Sequence, residues 1–229
     1  DDLLYYSCFS GKKHGLGMLD DYASMSQAAL KLYELTGQIA YLNDAKRWVE
    51  RLNQTHWDSK QGAYLLVGLD SDSSTGEYMT ARESSTPSGN GMMVGVLSRL
   101  HSLTNNHHFL EHARSIISAF VEEIPGHYLA MPALINNAEL LDCITQIIIV
   151  GEPKSEDTVS LLEIAHSAPR TNLIILSISP NQTNNLPDAH PAIGKTMIHG
   201  KATAFICINK TCQAPITDSM ILSHELENL

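Results

Sequence analysis

Between Leu19 and Leu35 apolar residues fall on nearly every helical face: Leu19, Tyr22, Ala23, Met25, Ala28, Ala29, Leu30, Leu32, Tyr33 and Leu35. A helix apolar all round is buried all round, so this stretch reads as an inner helix. Ile39 to Leu52 differs: Leu42, Ala45, Trp48, Val49 and Leu52 form one stripe, opposite Asp44, Lys46, Arg47, Glu50 and Arg51. That is a surface helix with one buried face. The pair then recurs. Asn90 to Leu103 is apolar on most faces, and His107 to Ile124 is striped by Phe109, Leu110, Ala113, Ile116, Ile117, Phe120 and Ile124. Met131 to Leu141 is again mostly apolar, with Pro132 tolerable in a first helical turn. The alternation of inner and outer helices predicts helical hairpins in two concentric layers, part of an α/α toroid.

Two stretches break helical periodicity. Tyr64 to Leu69 and Glu77 to Arg82 read as strands around a Ser/Asp/Gly turn, a β-hairpin near residues 63–82. After Cys143 the grammar changes. "QIIIVGEP" is a continuous apolar strand, Glu156 to Ser167 a helix started by Ser155, and "NLIILSISP" a second apolar strand. This is a βαβ unit with parallel strands. "ATAFICI" adds a third strand, and Thr217 or Asp218 caps a last helix. The predicted fold is mainly α: residues 1–142 a partial toroid, 143–229 a small α/β tail.

Charge narrows the partners. Of 229 residues, 15 are Lys or Arg and 25 are Asp or Glu, a formal net charge of −10. No Lys/Arg run occurs, so phosphate backbones and anionic lipids are poor partners: no nucleic acid, no membrane. No apolar segment has spanning length and no signal peptide opens the chain, so cytoplasm is the expected location. The sequons at Asn53, Asn181 and Asn209 are then chance. Cys8, Cys143, Cys207 and Cys212 are too scattered for a disulfide scaffold, and Cys207 and Cys212 are expected to be unbridged. No metal is expected: "CINKTC" lacks a second cluster, and His108 and His112, though on one helix face, have no acidic companion. "VGEP" is not a dinucleotide fingerprint, so no cofactor is expected.

"GMLDDYASMSQAALKLYELTG", "PSGNGMMVGVLSRLHSLT", "QIIIVGEP" and "AFICINKTCQAPITD" follow one another in that order. Together they resemble the thioredoxin-domain-containing proteins related to spermatogenesis-associated proteins, found from bacteria to animals. The resemblance implies a thioredoxin-like domain followed by an (α/α)6 barrel of the six-hairpin glycosidase type, of which this chain is the C-terminal part. It also implies an Asp-Gly-Ala segment before Pro-Ser-Gly-Asn, whereas "ARESSTPSGN" has no aspartate between Arg82 and Asn90. With the ring unclosed, Leu30, Met92, Met93 and Val94 are expected to face the missing half and to drive dimerisation or capture of the absent part.

The candidate site lies where the inner helices begin. Asp20 and Asp21 form an acidic helix start that macrodipole and capping explain without any active site. In a toroid, however, the inner helices point one way and their first turns gather around a funnel. Carboxylates there could bind sugar hydroxyls or act as general acid and base. Adjacent helical residues diverge by about 100°, so only one aspartate faces the funnel, and Asp21 is preferred as the deeper. Tyr22 offers a ring to a sugar face, Asn90 opens the next inner helix, and Arg82 and Glu83 lie at the rim. The leading expectation is a carbohydrate-like ligand, bound or turned over. The rival is a non-catalytic interaction or redox-accessory module, the remnant of a longer thioredoxin-domain protein.

Overall fold

The structure, a computed structural model, describes residues 2–69 and 78–229. Helices dominate it, and among the described residues none is long and apolar enough to cross a membrane. The chain divides into two compact units. The first comprises Asp1–Leu30, Tyr41–His101 and Asn106–Leu141; the second comprises Lys31–Ala40, Ser102–Asn105 and Asp142–Leu229.

The first unit opens on an antiparallel hairpin of β1 (Tyr5–Phe9) and β2 (Lys12–Leu16) that helical patterning did not reveal. Its turn, Ser10-Gly11, has φ of 49° and 76°, the left-handed pair that matches strand twist. Helices α1 (Leu19–Thr36) and α2 (Ile39–Thr55) follow, each divided between the two units. Strands β3 (Trp57–Asp58) and β4 (Ala63–Tyr64) then pair antiparallel. This corrects the expected 63–82 hairpin: the strand at Ala63 pairs backward because Asp58 accepts from Lys60 N and Gln61 N and closes a tight turn. Tyr78 to Arg82 is not in a strand, although Leu66 N donates to Tyr78 O at 2.8 Å, and Glu77 with the turn lies outside the described residues.

Helices α3 (Gly89–Thr104), α4 (His107–Phe120), α5 (Ile124–His127) and α6 (Pro132–Ala138) complete the helical part. α3 is buried along nearly its whole length, whereas α2 and α4 each bury one stripe: Leu42, Ala45, Val49 and Leu52, and Phe109, Ala113, Ile116 and Phe120. α3 also carries two glycines where α6 presses closest. A Cβ on Gly91 would lie 2.8 Å from Leu134 N, and one on Gly95 would lie 2.5 Å from Asn137 Oδ1. Asn137 Nδ2 donates to Gly91 O at 3.0 Å across this contact.

α1 departs from the expectation of burial all round. Tyr22, Ala29, Leu30 and Tyr33 are buried, but Met25, Leu32 and Leu35 are 43%, 42% and 55% exposed. The four residues expected to face a missing half, Leu30, Met92, Met93 and Val94, are all buried. The exposed apolar face lies instead on the other side of α1, because apolar periodicity reports hydrophobicity and not which side finds a partner.

In the second unit, β5 (Thr145–Val150), α7 (Glu156–Ser167) and β6 (Leu173–Ile178) form the βαβ unit, with β5 and β6 parallel and in register from Thr145↔Leu173 to Val150↔Ile178. β7 (Thr203–Ile208) runs antiparallel beside β5 and β8 (Thr211–Cys212) beside β7, giving the order β6-β5-β7-β8. The continuous apolar strands thus share one sheet, covered by α7 and by α8 (Ser219–Glu227) through Ile147, Ile149, Leu161, Ala165, Ala204, Ile206 and Leu222. Asp218 is the cap of α8, accepting from Met220 N and Ile221 N.

The cysteine expectation is corrected here. Cys207 and Cys212 are cross-strand partners in β7 and β8 and form a disulfide. The turn between them, Asn209-Lys210, has positive φ at both residues and folds the strands back within bonding distance. A spacing of four residues between cysteines is the length of a closed two-residue hairpin with its flanking strand residues. Cys8 and Cys143 are free and exposed. Also in this unit, Tyr33 Oη lies 2.8 Å from His190 Nε2 in a buried pair.

Candidate functional site

Three helix starts in the first unit are each held by an acidic side chain. Asp21, third residue of α1, reaches back so that its Oδ2 accepts from Met18 N at 2.8 Å, the reciprocal half of a capping box. Asp20 accepts from the backbone N–H of Gly89, the first residue of α3. Glu83 Oε1 accepts from Ala133 N in the first turn of α6. Each carboxylate meets orphan N–H groups and the positive end of a helix.

Gly89 is what admits Asp20. Where its Cβ would stand, the Asp20 Oδ1 and the Leu19 side chain already sit. Beside it Ser88 Oγ accepts from Gly91 N at 3.2 Å and caps α3. "PSGN" is thereby explained residue by residue: Ser88 caps, Gly89 makes room, and Asn90 latches. The Asn90 amide is fully buried, with Oδ1 accepting from Tyr64 N and Nδ2 donating to Tyr64 O and Thr80 O. Its donors are used up in tying β4 and the segment at Thr80 to α3, so it does not face a ligand as expected.

At the heads of α1 and α3 lies a cavity of about 250 Å³. Asp20 is its carboxyl on the α1 side. Thr80, Ser84, Thr86 and Ser88 supply hydroxyls, and Arg82 and Glu83 contribute from the same segment. Arg82 also reaches Glu123 Oε2, at 3.1 Å from Nε and 3.0 Å from Nη2, an exposed pair of small energetic weight. Burial pushes the Asp20 carboxyl above the ordinary aspartate value. The Gly89 N–H works against this and the neighbouring Asp21 charge adds to it.

The preference for Asp21 is therefore reversed. Asp20 lines the cavity while Asp21 is spent on its own helix. Tyr22 is elsewhere: it is 2% exposed, its hydroxyl takes Leu4 N at 3.2 Å, and its ring lies edge-on to His56. The structure thus brings together Asp20, Arg82 and Glu83, and leaves out Asp21, Tyr22 and Asn90. Residue reasoning missed the four hydroxyls, whose signal was the density of Ser and Thr in "TARESSTPS". Among the described residues, no group of three or more His, Cys, Asp or Glu is arranged to hold a metal ion.

No protein-family model matches the chain. It is similar to spermatogenesis-associated protein 20 of Homo sapiens and of Mus musculus, 27% identical over 209 residues in each case, covering 88% of this chain and 26% of the relative. An uncharacterised protein of Caenorhabditis elegans is 23% identical over 201 residues, covering 86% of this chain and 27% of the relative. The chain spans about a quarter of the length of the curated relatives it matches.

Proposed function

We propose that this chain is the closing part of a six-hairpin-type toroid and that the cavity at the head of α1 and α3 holds a hydroxylated, sugar-like ligand without hydrolysing it. The observation that carries the reading is Asp20: a half-buried carboxyl with a raised pKa, in a small cavity whose other polar groups are mostly hydroxyls. A carboxylate accepts two sugar hydroxyls well, and Ser and Thr hydroxyls both donate and accept as a polyol demands. Burial strengthens those bonds by removing competing water.

Hydrolysis needs more. Glycosidases set two carboxyl groups across the scissile bond, one to donate a proton and one to attack or to activate water. Glu83, the second carboxylate on this cavity, accepts from Ala133 N as Asp20 accepts from Gly89 N, so neither carboxyl is placed as a free acid or nucleophile. Binding therefore outlasts catalysis in this reading. The toroid part of the proposal rests on the buried α3, on the single stripes of α2 and α4, and on the shared heads of α1, α3 and α6. The exposed face of α1, with Met25, Leu32 and Leu35, is the surface an unclosed ring leaves bare.

One observation favours the rival, a non-catalytic interaction module. Each of the three acidic residues holds a helix start, so all three have a sufficient structural task without a ligand. A thermal-shift screen of neutral monosaccharides and polyols separates the readings. The proposal expects at least one to raise Tm in the chain and not in Asp20→Asn, which keeps the Gly89 contact. Absence of any shift, or equal shifts in both proteins, leaves the interaction module standing.

A further inference from the structure

The Cys207–Cys212 disulfide joins two residues whose surroundings differ. Cys207 lies in β7, beside β5, and is only 3% exposed. Cys212 lies in β8, the two-residue strand at the edge of the sheet, and is exposed. In the order β6-β5-β7-β8 no strand stands beyond β8, so one end of the bridge is open to solvent and the other is covered. We propose that this pair is a thiol–disulfide exchange site, which accepts electrons from a dithiol and is attacked at Cys212.

The exchange runs in two steps. A thiolate of the dithiol attacks the Cys212 sulfur and forms a mixed disulfide with it. The bond to Cys207 breaks, and the Cys207 sulfur leaves as a thiolate that takes a proton from water. The second thiolate of the dithiol then attacks its own companion sulfur in the mixed disulfide and releases Cys212 as a thiolate, protonated in turn. Two electrons and two protons have reached the pair, and the dithiol departs as a disulfide. Access helps decide which sulfur of a disulfide is struck, and here it favours Cys212.

The reduced pair stays in place because other bonds hold both strands. β7 is laddered to β5 along its whole length, from Thr145↔Ile208 to Val150↔Thr203. Just past β8, Gln213 N donates to Ile206 O at 2.9 Å. Ala204 and Ile216 then exchange both of their backbone bonds, at 2.7 Å and 2.9 Å. The Asn209-Lys210 turn, with φ of 49° and 66°, closes the hairpin without help from the sulfurs. Two thiols left opposite each other in this register re-form their bond within the chain, at little cost in loop closure. Exchange therefore needs no unfolding, which separates a reversible pair from a purely structural bridge. The pair belongs to the second unit, and the proposal depends on neither the cavity at Asp20 nor the sugar reading.

The test uses the 229-residue chain with Cys8→Ser and Cys143→Ser, which remove the two exposed free thiols. The dithiol probe is dithiothreitol, and reduction is followed by alkylation and mass, in the native chain and in guanidinium. The native rate is expected to lie within about tenfold of the unfolded one, with the far-ultraviolet spectrum retained and the disulfide restored by oxidised glutathione. Single thiols in the same background show which sulfur is open. Cys207→Ser should take up glutathione at Cys212 at least tenfold faster than Cys212→Ser takes it up at Cys207, both variants keeping the parent spectrum. The proposal is overturned if the pair resists dithiothreitol until the chain is unfolded, if reduction dismantles the sheet, or if Cys207 is labelled as fast as Cys212.

Discussion

Gly89 is the residue on which the candidate site turns. Its missing side chain is the space that Asp20 and Leu19 occupy, so Gly89→Ala must displace one of them. Forcing a methyl into a filled position costs about 1–3 kcal/mol, and this should appear as a lower urea midpoint with an unchanged slope. An unaltered midpoint would mean that Asp20 does not sit at the head of α3. A second residue makes the stability depend on pH. Burial, aided by the charge of Lys195, lowers His190 to about 4 from its ordinary 6.5. Its ring is neutral in the fold: Nδ1 accepts from Ala192 N at 3.1 Å, so the proton is on Nε2, toward Tyr33 Oη. Between those two pH values the unfolded chain binds more protons than the folded one. Stability from this group is therefore complete above about pH 6.5 and falls as pH drops toward 4, by roughly 3 kcal/mol in all. His112, lowered to about 4 by burial and by His108, adds to the same slope. Urea midpoints of the parent and His190→Gln at pH 7.5, 6 and 4.5 isolate the His190 share: the gap between them should narrow on acidification. A constant gap contradicts the neutral, buried ring.

Elements were legible where burial and periodicity agree. α2 and α4 carry one apolar stripe each, and β5, β6 and β7 are continuous apolar runs that only a covered sheet can hold. The Asp218 cap of α8 followed from local chemistry, whereas Ser155 holds the N-cap position of α7 without a side-chain capping bond, its hydroxyl turning to Glu152 O and Thr158 Oγ1. What was illegible depended on tertiary partners. β1 and β2 are almost wholly exposed, so no buried face marks them, and only Ser10-Gly11 announces the turn. For the candidate site, a gathering of polar groups at the helix starts was readable, but which aspartate lines the cavity depends on Gly89, sixty-nine residues from Asp20 in the chain. The β7–β8 disulfide was missed because cysteine spacing was read without the hairpin that closes it. Its loss is predicted to be mild. It closes a short loop, and the Asn209-Lys210 turn already favours the closed form. Cys207→Ser with Cys212→Ser should lower the unfolding free energy by about 2 kcal/mol, with the circular dichroism of the sheet retained. Loss of the sheet would show that the disulfide, and not the β5–β7 ladder, holds β7 in place.

At the scale of the molecule, surface charge and apolar exposure oppose each other. The net charge of −10 keeps copies apart, while Met25, Leu32 and Leu35 on α1 expose apolar surface that burial would stabilise. Raising salt screens the first and leaves the second. The chain should therefore show a mass by light scattering that rises with concentration, more steeply at 0.5 M than at 0.05 M salt, and Leu32→Gln with Leu35→Gln should remove the rise. A monomer under all these conditions would mean that the α1 face does not self-associate and that its exposure carries no drive to be covered.

The central claim is that Asp20 is a half-buried carboxyl that takes a hydroxylated ligand, and carbon-detected NMR of its Cγ through an acid titration tests it most directly. The account predicts a midpoint above the ordinary 3.8 in the free chain, from burial and the Asp21 charge acting against the Gly89 N–H. It further predicts that a saturating sugar found in the thermal screen shifts that midpoint, while the Asp21 resonance is left unmoved by the ligand. An Asp20 midpoint at or below 3.8, indifferent to every sugar tested, would contradict the account and leave Asp20 as an acceptor for the Gly89 N–H alone.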